Sequence, residues 1–123
     1  MTRIESLEAH EVFVFGSNGL GFHGGGAART AYDRFGAVWG QANGLQGQSY
    51  GIDTMSGPEV LAEQVAVFVE FARSRTDLRF LLTPIGTGIA GIPAEEVAPL
   101  FLDAPANVVL PDLFLDVLRE LLA

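Results

Sequence analysis

Two glycine-rich segments contain the residues of this chain that could bind or act on a ligand. Residues 16–26 read GSNGLGFHGGG and residues 84–91 read PIGTGIAG, and each segment follows a short apolar run typical of a buried strand. Glycine adopts positive φ angles and lets backbone amides approach a ligand closely. Two such loops at strand ends can surround anionic oxygens with N–H groups, so the pair predicts a phosphate-binding site.

Two side chains in or near these segments are candidates for catalysis. His23 lies within the first segment, and histidine is well suited to proton transfer near neutral pH. The alternative is that His23 is an exposed loop residue or a passive hydrogen-bond donor to phosphate. Asp53 lies at the end of another predicted strand, and we expect this strand end to lie beside the two glycine-rich segments. Asp53 would bind a ribose hydroxyl or activate water, or else it would cap the turn that follows it.

Several chemistries are excluded by residues that the sequence lacks. All seven basic residues are arginine and there is no cysteine. The chain therefore has no Schiff-base lysine, no P-loop lysine and no thiolate nucleophile. With two histidines and no cysteine we predict no metal site, and we predict no cofactor.

Length and charge restrict the class of protein. The 123 residues, of which 49% are hydrophobic, predict a single domain over residues 1–123. The net charge of −8 argues against non-specific binding to nucleic acid, because a phosphate backbone is held chiefly by clustered Lys and Arg. No apolar stretch is long enough to span a membrane, and the first residues do not read as a secretory leader, so we expect a soluble cytoplasmic protein without a membrane partner.

The remaining sequence predicts the elements that position the two glycine-rich segments. In chain order they are a strand at 11–15, a helix from 25 or 26 to 35, an irregular segment from 37 leading into a strand at 48–54, a helix at 58–75, a strand at 78–83, a short helix from 93, a strand at 107–110 and a helix from 111. Strands that alternate with helices predict an α/β fold with a mainly parallel sheet and helices on both faces. Both glycine-rich segments then lie at the carboxyl edge of that sheet, where such folds bind ligands.

The order of these motifs resembles that of the macrodomains, over residues 12–110. The Gly-Ser-Asn and Gly-Gly-Gly-Ala-Ala motifs and the later Pro-Ile-Gly-Thr-Gly-Ile-Ala-Gly motif match the two phosphate loops of that family. The resemblance implies a three-layer α/β/α sandwich that binds ADP-ribose or an ADP-ribosylated macromolecule, with the diphosphate between the loops and Asn18 on the distal ribose. The ligand-binding residues that it implies are Gly16, Ser17, Asn18, Gly24, Gly25, Gly26, Ala27, Gly86, Thr87, Gly88, Ile89, Ala90 and Gly91.

The sequence departs from the family where hydrolytic members have their catalytic residues. The acid that follows the glycine cluster in one branch is replaced by Ala27-Ala28-Arg29, and the lysine and acid of another branch are replaced by Met55 and Ala90. No acid can be matched to the one that contacts adenine. The candidates for stacking on that base are Trp39, Phe22, Tyr50 and Phe101, of which we expect one to contact the ligand.

Three functions therefore remain open. The first is binding of ADP-ribose or a related nucleotide without catalysis. The second is ADP-ribosyl hydrolysis from protein or nucleic acid by a non-standard set drawn from His23, Asp53 and Asn18. The third is that the loops only organise a surface for another protein.

Overall fold

The computed structural model of this protein describes residues 4–123. Residues 1–3 lie outside the described residues. The predictions of a single domain over residues 1–123 and of no secretory leader include these three residues, and to that extent they are not described. No helix between residues 4 and 123 has both the length and the apolar character needed to cross a bilayer. The elements, in chain order, are β1 (Glu11–Ser17), α1 (Gly26–Arg34), β2 (Gly44–Gln46), β3 (Ser49–Asp53), α2 (Pro58–Ser74), β4 (Arg79–Leu82), α3 (Ala94–Val97), a 3-10 helix (Ala98–Phe101), β5 (Val108–Val109) and α4 (Asp112–Leu122).

The five strands form one sheet in the order β2-β3-β1-β4-β5. Strand β1 is central and pairs in parallel with β3 and β4, and β4 pairs in parallel with β5. Only β2 runs antiparallel, against β3. The predicted mainly parallel α/β fold is confirmed. Strand β2 was not predicted, because its three residues lie within the segment interpreted as irregular and carry no alternating apolar pattern.

The larger hydrophobic core lies on one face of the sheet. Alternate residues of β1 point to opposite faces, and Val12 and Val14 belong to this core. Helix α2 buries Phe68 among other apolar residues in this core, and the Phe68 ring packs edge-on against Phe80 of β4 at 5.4 Å between centroids. The 3-10 helix and α4 cover the rest of this face through Phe101 and Phe114 and other buried side chains.

A smaller core lies on the opposite face, where Phe13 and Phe15 of β1 contact α1. The helix presents the small residues Ala28 and Ala31 to the strands, which lets the helix and sheet backbones approach closely. Leu81 of β4 and Val109 of β5 are only half-buried and line a groove of about 860 Å³ beside α1. The described chain thus covers this face less completely than the other.

The connections reverse direction between β1 and β4. The chain leaves β1 through α1 and reaches β3 on one side, whereas it leaves β4 and reaches β5 on the other side. In open parallel sheets, a crevice forms at the carboxyl ends of the strands where the connections diverge in this way. The two glycine-rich loops follow β1 and β4, so they flank that crevice.

Asn107 holds the end of α2 against the start of β4. The two N–H bonds of its Nδ2 group are shared among the carbonyl oxygens of Ala72, Arg75 and Leu78, which lie 2.9, 3.0 and 3.1 Å from Nδ2. We expect Asn107→Ala to lower the free energy of unfolding by about 1–3 kcal/mol, because these part-buried carbonyls lose the Asn107 donor, although those of Ala72 and Arg75 still accept from backbone amides. Urea denaturation measures the change, and Glu63→Ala, exposed on α2, serves as the control. Equal stability of the two variants would contradict this role.

Candidate functional site

A cleft of about 380 Å³ lies at the crevice between loop one (residues 18–25) and loop two (residues 83–93). The structure brings together in its lining every predicted ligand-binding residue except Gly24 and Gly91. Neither candidate catalytic side chain, His23 or Asp53, belongs to the lining. The lining also contains residues that were not predicted, namely Ala28, Thr54, Met55, Thr83, Pro84 and Ile85, together with Phe22, which was predicted only as a stacking residue.

The carboxyl ends of three neighbouring strands converge at Gly16. A Cβ atom at this position would stand 3.4 Å from the Thr54 side chain and 3.6 Å from the Gly86 amide nitrogen. Thr54 follows β3, and Gly86 belongs to loop two after β4. The missing side chain at Gly16 therefore lets the end of β1 and the two neighbouring loops meet at the base of the cleft.

The first group of free amides lies at the start of α1. Gly24, Gly25 and the first three helical residues, Gly26 to Ala28, donate no backbone hydrogen bond to an acceptor among residues 4–123. The first amides of a helix lack intrahelical partners and carry the positive end of the helix dipole. The N-cap residue is Gly25, which supplies no side-chain acceptor to occupy them. These donors are consequently available to an anion.

Loop two carries a second group of free amides. In the part of the chain that the structure describes, no acceptor is found for the backbone N–H groups of Gly86, Gly88, Ile89 and Ala90. The loop is held open around them by its own hydrogen bonds. The Thr87 hydroxyl donates to the Pro84 carbonyl at 2.7 Å. Backbone hydrogen bonds from Gly91 to Gly88 (3.0 Å) and from Ile92 to Gly86 (2.8 Å) complete the turn.

Asn18 shapes loop one through its own side chain. The Oδ1 atom accepts from the amides of Leu20 and Phe22 at 3.2 and 3.0 Å, and Nδ2 donates to the Phe22 carbonyl at 2.8 Å. Asparagine has two N–H bonds on Nδ2, so one remains for another acceptor. The predicted contact with a distal ribose rests on that remaining donor.

Loop one is also joined to the segment after α1. The Gly40 amide donates to the Gly21 carbonyl at 2.9 Å, and a Cβ on Gly21 would stand only 2.5 Å from the Gly40 carbonyl carbon. Gly21 has a φ of +69°, a conformation that glycine adopts without strain. The close approach fixes the outer half of the loop before any ligand binds.

His23 lies beneath loop one rather than in the cleft. Its side chain is fully buried, and its ring meets the ring of Phe15 edge-on at 5.1 Å between centroids. The Nε2 atom lies 2.8 Å from the Val38 carbonyl oxygen, which can only accept, so Nε2 carries the proton and donates. The Nδ1 atom has no partner within residues 4–123. The interpretation of His23 as an exposed loop residue is wrong, and the ring anchors the loop.

Asp53 is buried at the end of β3 and holds the turn that follows. Its Oδ1 atom accepts from the Met55 amide at 2.9 Å, and its Oδ2 atom accepts from the Ser56 hydroxyl at 2.5 Å. The interpretation of Asp53 as a residue that caps this turn is confirmed. Its carboxylate thereby positions Met55 at the edge of the cleft.

The rim of the cleft is apolar and exposed. The side chains of Phe22, Met55 and Ile89 are 52%, 50% and 88% exposed, although all three line the cleft. A ligand that covers Ile89 would remove its apolar surface from water, which favours binding. No charged side chain lies among the lining residues in the described chain. Met55 could have been identified from the sequence, because it follows a third strand that ends at the same edge.

The four predicted stacking candidates separate into two pairs. Tyr50 and Phe101 belong to the larger core and are buried. Phe22 and Trp39 are exposed, and their rings stack on each other with centroids 5.7 Å apart and planes inclined by 20°. Only the second pair is available to a ligand.

The arrangement can bind an anion through fixed amide donors beneath an apolar rim, and it offers no acid, histidine or lysine within the described lining to transfer a proton.

Comparison of the chain with family models, curated proteins and solved structures found no match. The chemistry of the cleft is therefore inferred from its own residues.

Proposed function

We propose that the cleft binds ADP-ribose or a related ADP-ribose-containing nucleotide, with the diphosphate between loops one and two. The observation that carries the proposal is that two groups of backbone amides in the lining of one cleft, one at the start of α1 and one in loop two, have no acceptor among residues 4–123. The resemblance of both loops to those of macrodomains supports ADP-ribose as the ligand and a macrodomain-like, three-layer arrangement as the fold.

Neutral amides can hold a diphosphate without a cationic side chain. Hydrogen bonds from backbone N–H groups to a charged oxygen are shorter and stronger than those between neutral groups. They gain further strength in a site from which water is partly excluded, as the apolar rim of Phe22, Met55 and Ile89 favours. Such a site suits a chain with a net charge of −8 and no lysine.

The dimensions of the cleft agree with part of a nucleotide. Small-molecule pockets typically enclose about 300–1,000 Å³, and the cleft of about 380 Å³ is continuous with the groove of about 860 Å³ through Gly25, Gly26, Ala27, Thr83 and Pro84, which line both. We propose that the diphosphate and one ribose occupy the cleft while another part of the ligand extends into the groove. The partner of the protein is then free ADP-ribose or an ADP-ribosylated macromolecule.

Binding is proposed without catalysis. The hydrolase alternative depends on His23, Asp53 and Asn18, and each of these side chains makes hydrogen bonds that organise loop one or the turn after β3. Hydrolysis by this set remains a prediction, which a turnover assay on a mono-ADP-ribosylated substrate would test.

Isothermal titration calorimetry with three ligands tests the proposal. We expect ADP-ribose to bind, ADP to bind more weakly because it lacks the distal ribose, and adenosine to give no heat because it lacks the diphosphate that the amides hold. Binding of adenosine as tightly as ADP-ribose would contradict a diphosphate site. Absence of heat with both phosphorylated ligands would favour the protein-interaction surface instead.

Salt provides an independent prediction. Because the described lining of the cleft, where the diphosphate is proposed to lie, carries no charged side chain and the protein is acidic, we expect the dissociation constant for ADP-ribose to stay constant or to decrease as NaCl is raised from about 20 to about 300 mM. The added salt screens the repulsion between the ligand and the net negative charge of the protein. Calorimetry at several salt concentrations measures the trend. A dissociation constant that rises steeply with salt would indicate that arginine, rather than backbone amides, holds the phosphates.

A further inference from the structure

The cleft is continued on both flanks of α1, by surfaces of different character. Ala28 and Ala31 of the helix face the sheet. At 100° per residue, Ala27, Thr30 and Arg34 fall on one flank of the helix, and Tyr32 falls on the other. The first three residues line the groove beside β4 and β5.

The opposite flank carries three exposed aromatic rings, Phe22, Tyr32 and Trp39, which we call the aromatic platform. Trp39 lies between the other two, stacked on Phe22 and edge-on to Tyr32 with centroids 5.5 Å apart. Tyr32 and Trp39 are 41% and 46% exposed, so ring surface remains open to solvent. The platform is continuous with the cleft because Phe22 belongs to both.

Its position and chemistry indicate what covers the platform. Exposed aromatic rings bind planar bases by stacking, and each stacked base contributes about 1–3 kcal/mol by alanine substitution. Tryptophan also attracts a cationic heterocycle more strongly than the other aromatic side chains. This attraction falls to Trp39, because the Arg29 guanidinium already lies over the Tyr32 ring, 5.8 Å from its centroid. A ligand whose diphosphate lies in the cleft can place one end in the groove and the other end over Trp39.

We infer that the ligand is a dinucleotide-like molecule with a ring system at both ends of its diphosphate, and that the aromatic platform stacks a planar nitrogen heterocycle joined to the second ribose. This inference rests on the proposed function, because it requires the diphosphate to lie between loops one and two. It goes beyond that function by assigning a second ring subsite, which free ADP-ribose leaves empty.

The test compares NAD⁺, which carries a planar cationic ring on its second ribose, with ADP-ribose, which does not. Trp39 is the only tryptophan of the chain, so intrinsic fluorescence reports directly on the platform. We expect both ligands to bind in calorimetry, NAD⁺ about 10-fold more tightly, and only NAD⁺ to quench the fluorescence of Trp39.

Variants make the test specific. Trp39→Leu is expected to reduce the affinity for NAD⁺ to that for ADP-ribose and to leave ADP-ribose binding unchanged. Val38→Ala, at the neighbouring exposed side chain outside the platform, is the matched control and is expected to bind both ligands as the wild type does. Thermal melting of both variants verifies that they are folded.

The other outcomes separate this inference from the proposed function. If ADP-ribose binds and NAD⁺ binds no more tightly and leaves the fluorescence unchanged, the second ring subsite is overturned while the diphosphate site stands. If ADP-ribose itself quenches Trp39 and Trp39→Leu weakens both ligands equally, the platform stacks adenine and the inference is overturned. If neither ligand binds the wild type, the proposed function fails and the inference fails with it.

Discussion

Gly25→Val and Gly88→Val are each expected to weaken ADP-ribose binding about 100-fold or more without lowering the stability of the protein. Apart from its chain neighbours, a Cβ at either position would meet no atom of residues 4–123 within 4 Å, and neither glycine has a positive φ. The fold therefore tolerates both side chains. A branched side chain at either position would keep the diphosphate away from the adjoining amides, and loss of two charge-assisted hydrogen bonds at about 1.5 kcal/mol each accounts for the expected factor.

The measurement pairs calorimetry with thermal melting. Ala66→Val, which places the same side chain at an exposed residue of α2, controls for a general effect of introducing valine. Gly21→Val provides the opposite control, because its Cβ would collide with the Gly40 backbone and its φ is positive, so this variant is expected to lose stability as well as binding. Unchanged ADP-ribose affinity in both Gly25→Val and Gly88→Val would refute the assignment of the loops.

His23→Ala is expected to lower the free energy of unfolding by about 2–4 kcal/mol. The substitution removes a fully buried ring that packs on Phe15, and it leaves the Val38 carbonyl without its donor. Urea denaturation measures the loss. His10→Ala removes the other histidine of the chain, which is exposed, and is expected to leave stability unchanged.

The same variant distinguishes an anchoring role from a catalytic one. If His23 is an anchor, His23→Ala binds ADP-ribose more weakly because part of the protein is unfolded. Lowering the temperature then restores affinity, because it increases the folded fraction. A variant that retains wild-type stability and ADP-ribose affinity, yet loses release of ADP-ribose from a modified substrate, would contradict the anchoring role and support the hydrolase alternative.

The location of the cleft could be predicted from the sequence. Two apolar runs, each followed by a glycine-rich segment, predict two strand ends, and parallel strands bring their carboxyl ends to one edge of a sheet. The same rule applies to β3, whose continuation supplies Thr54 and Met55 to the lining. The alternation along β1 predicts which of its residues face each core. The position of the cleft and the two faces of β1 can be predicted because they depend only on the local sequence pattern and on the rule that parallel strands end at the same edge of a sheet.

The roles of individual side chains could not be predicted, because they depend on contacts between distant residues. The burial of His23 follows from its hydrogen bond to Val38, fifteen residues later, and the close approach of Gly21 to Gly40 joins the same two segments. The aromatic residues pose the same difficulty, since the sequence alone does not separate the buried ring of Tyr50 from the exposed ring of Trp39. Whether an aromatic ring is buried or exposed depends on which helix covers which part of the sheet.

The most direct test of the amide-lined diphosphate site is a titration of ¹⁵N-labelled protein with ADP-ribose, followed by amide NMR. Two separate groups of resonances are predicted to shift most strongly, those of residues 24–28 and those of residues 86 and 88–90, because hydrogen bonding to phosphate oxygens changes the environment of these N–H groups directly. The amides of residues 116–122 in α4, which do not line the cleft or the groove, are expected to remain in place and serve as the internal reference. Binding that shifts neither group, or that shifts only residues outside the cleft, would contradict the proposed site.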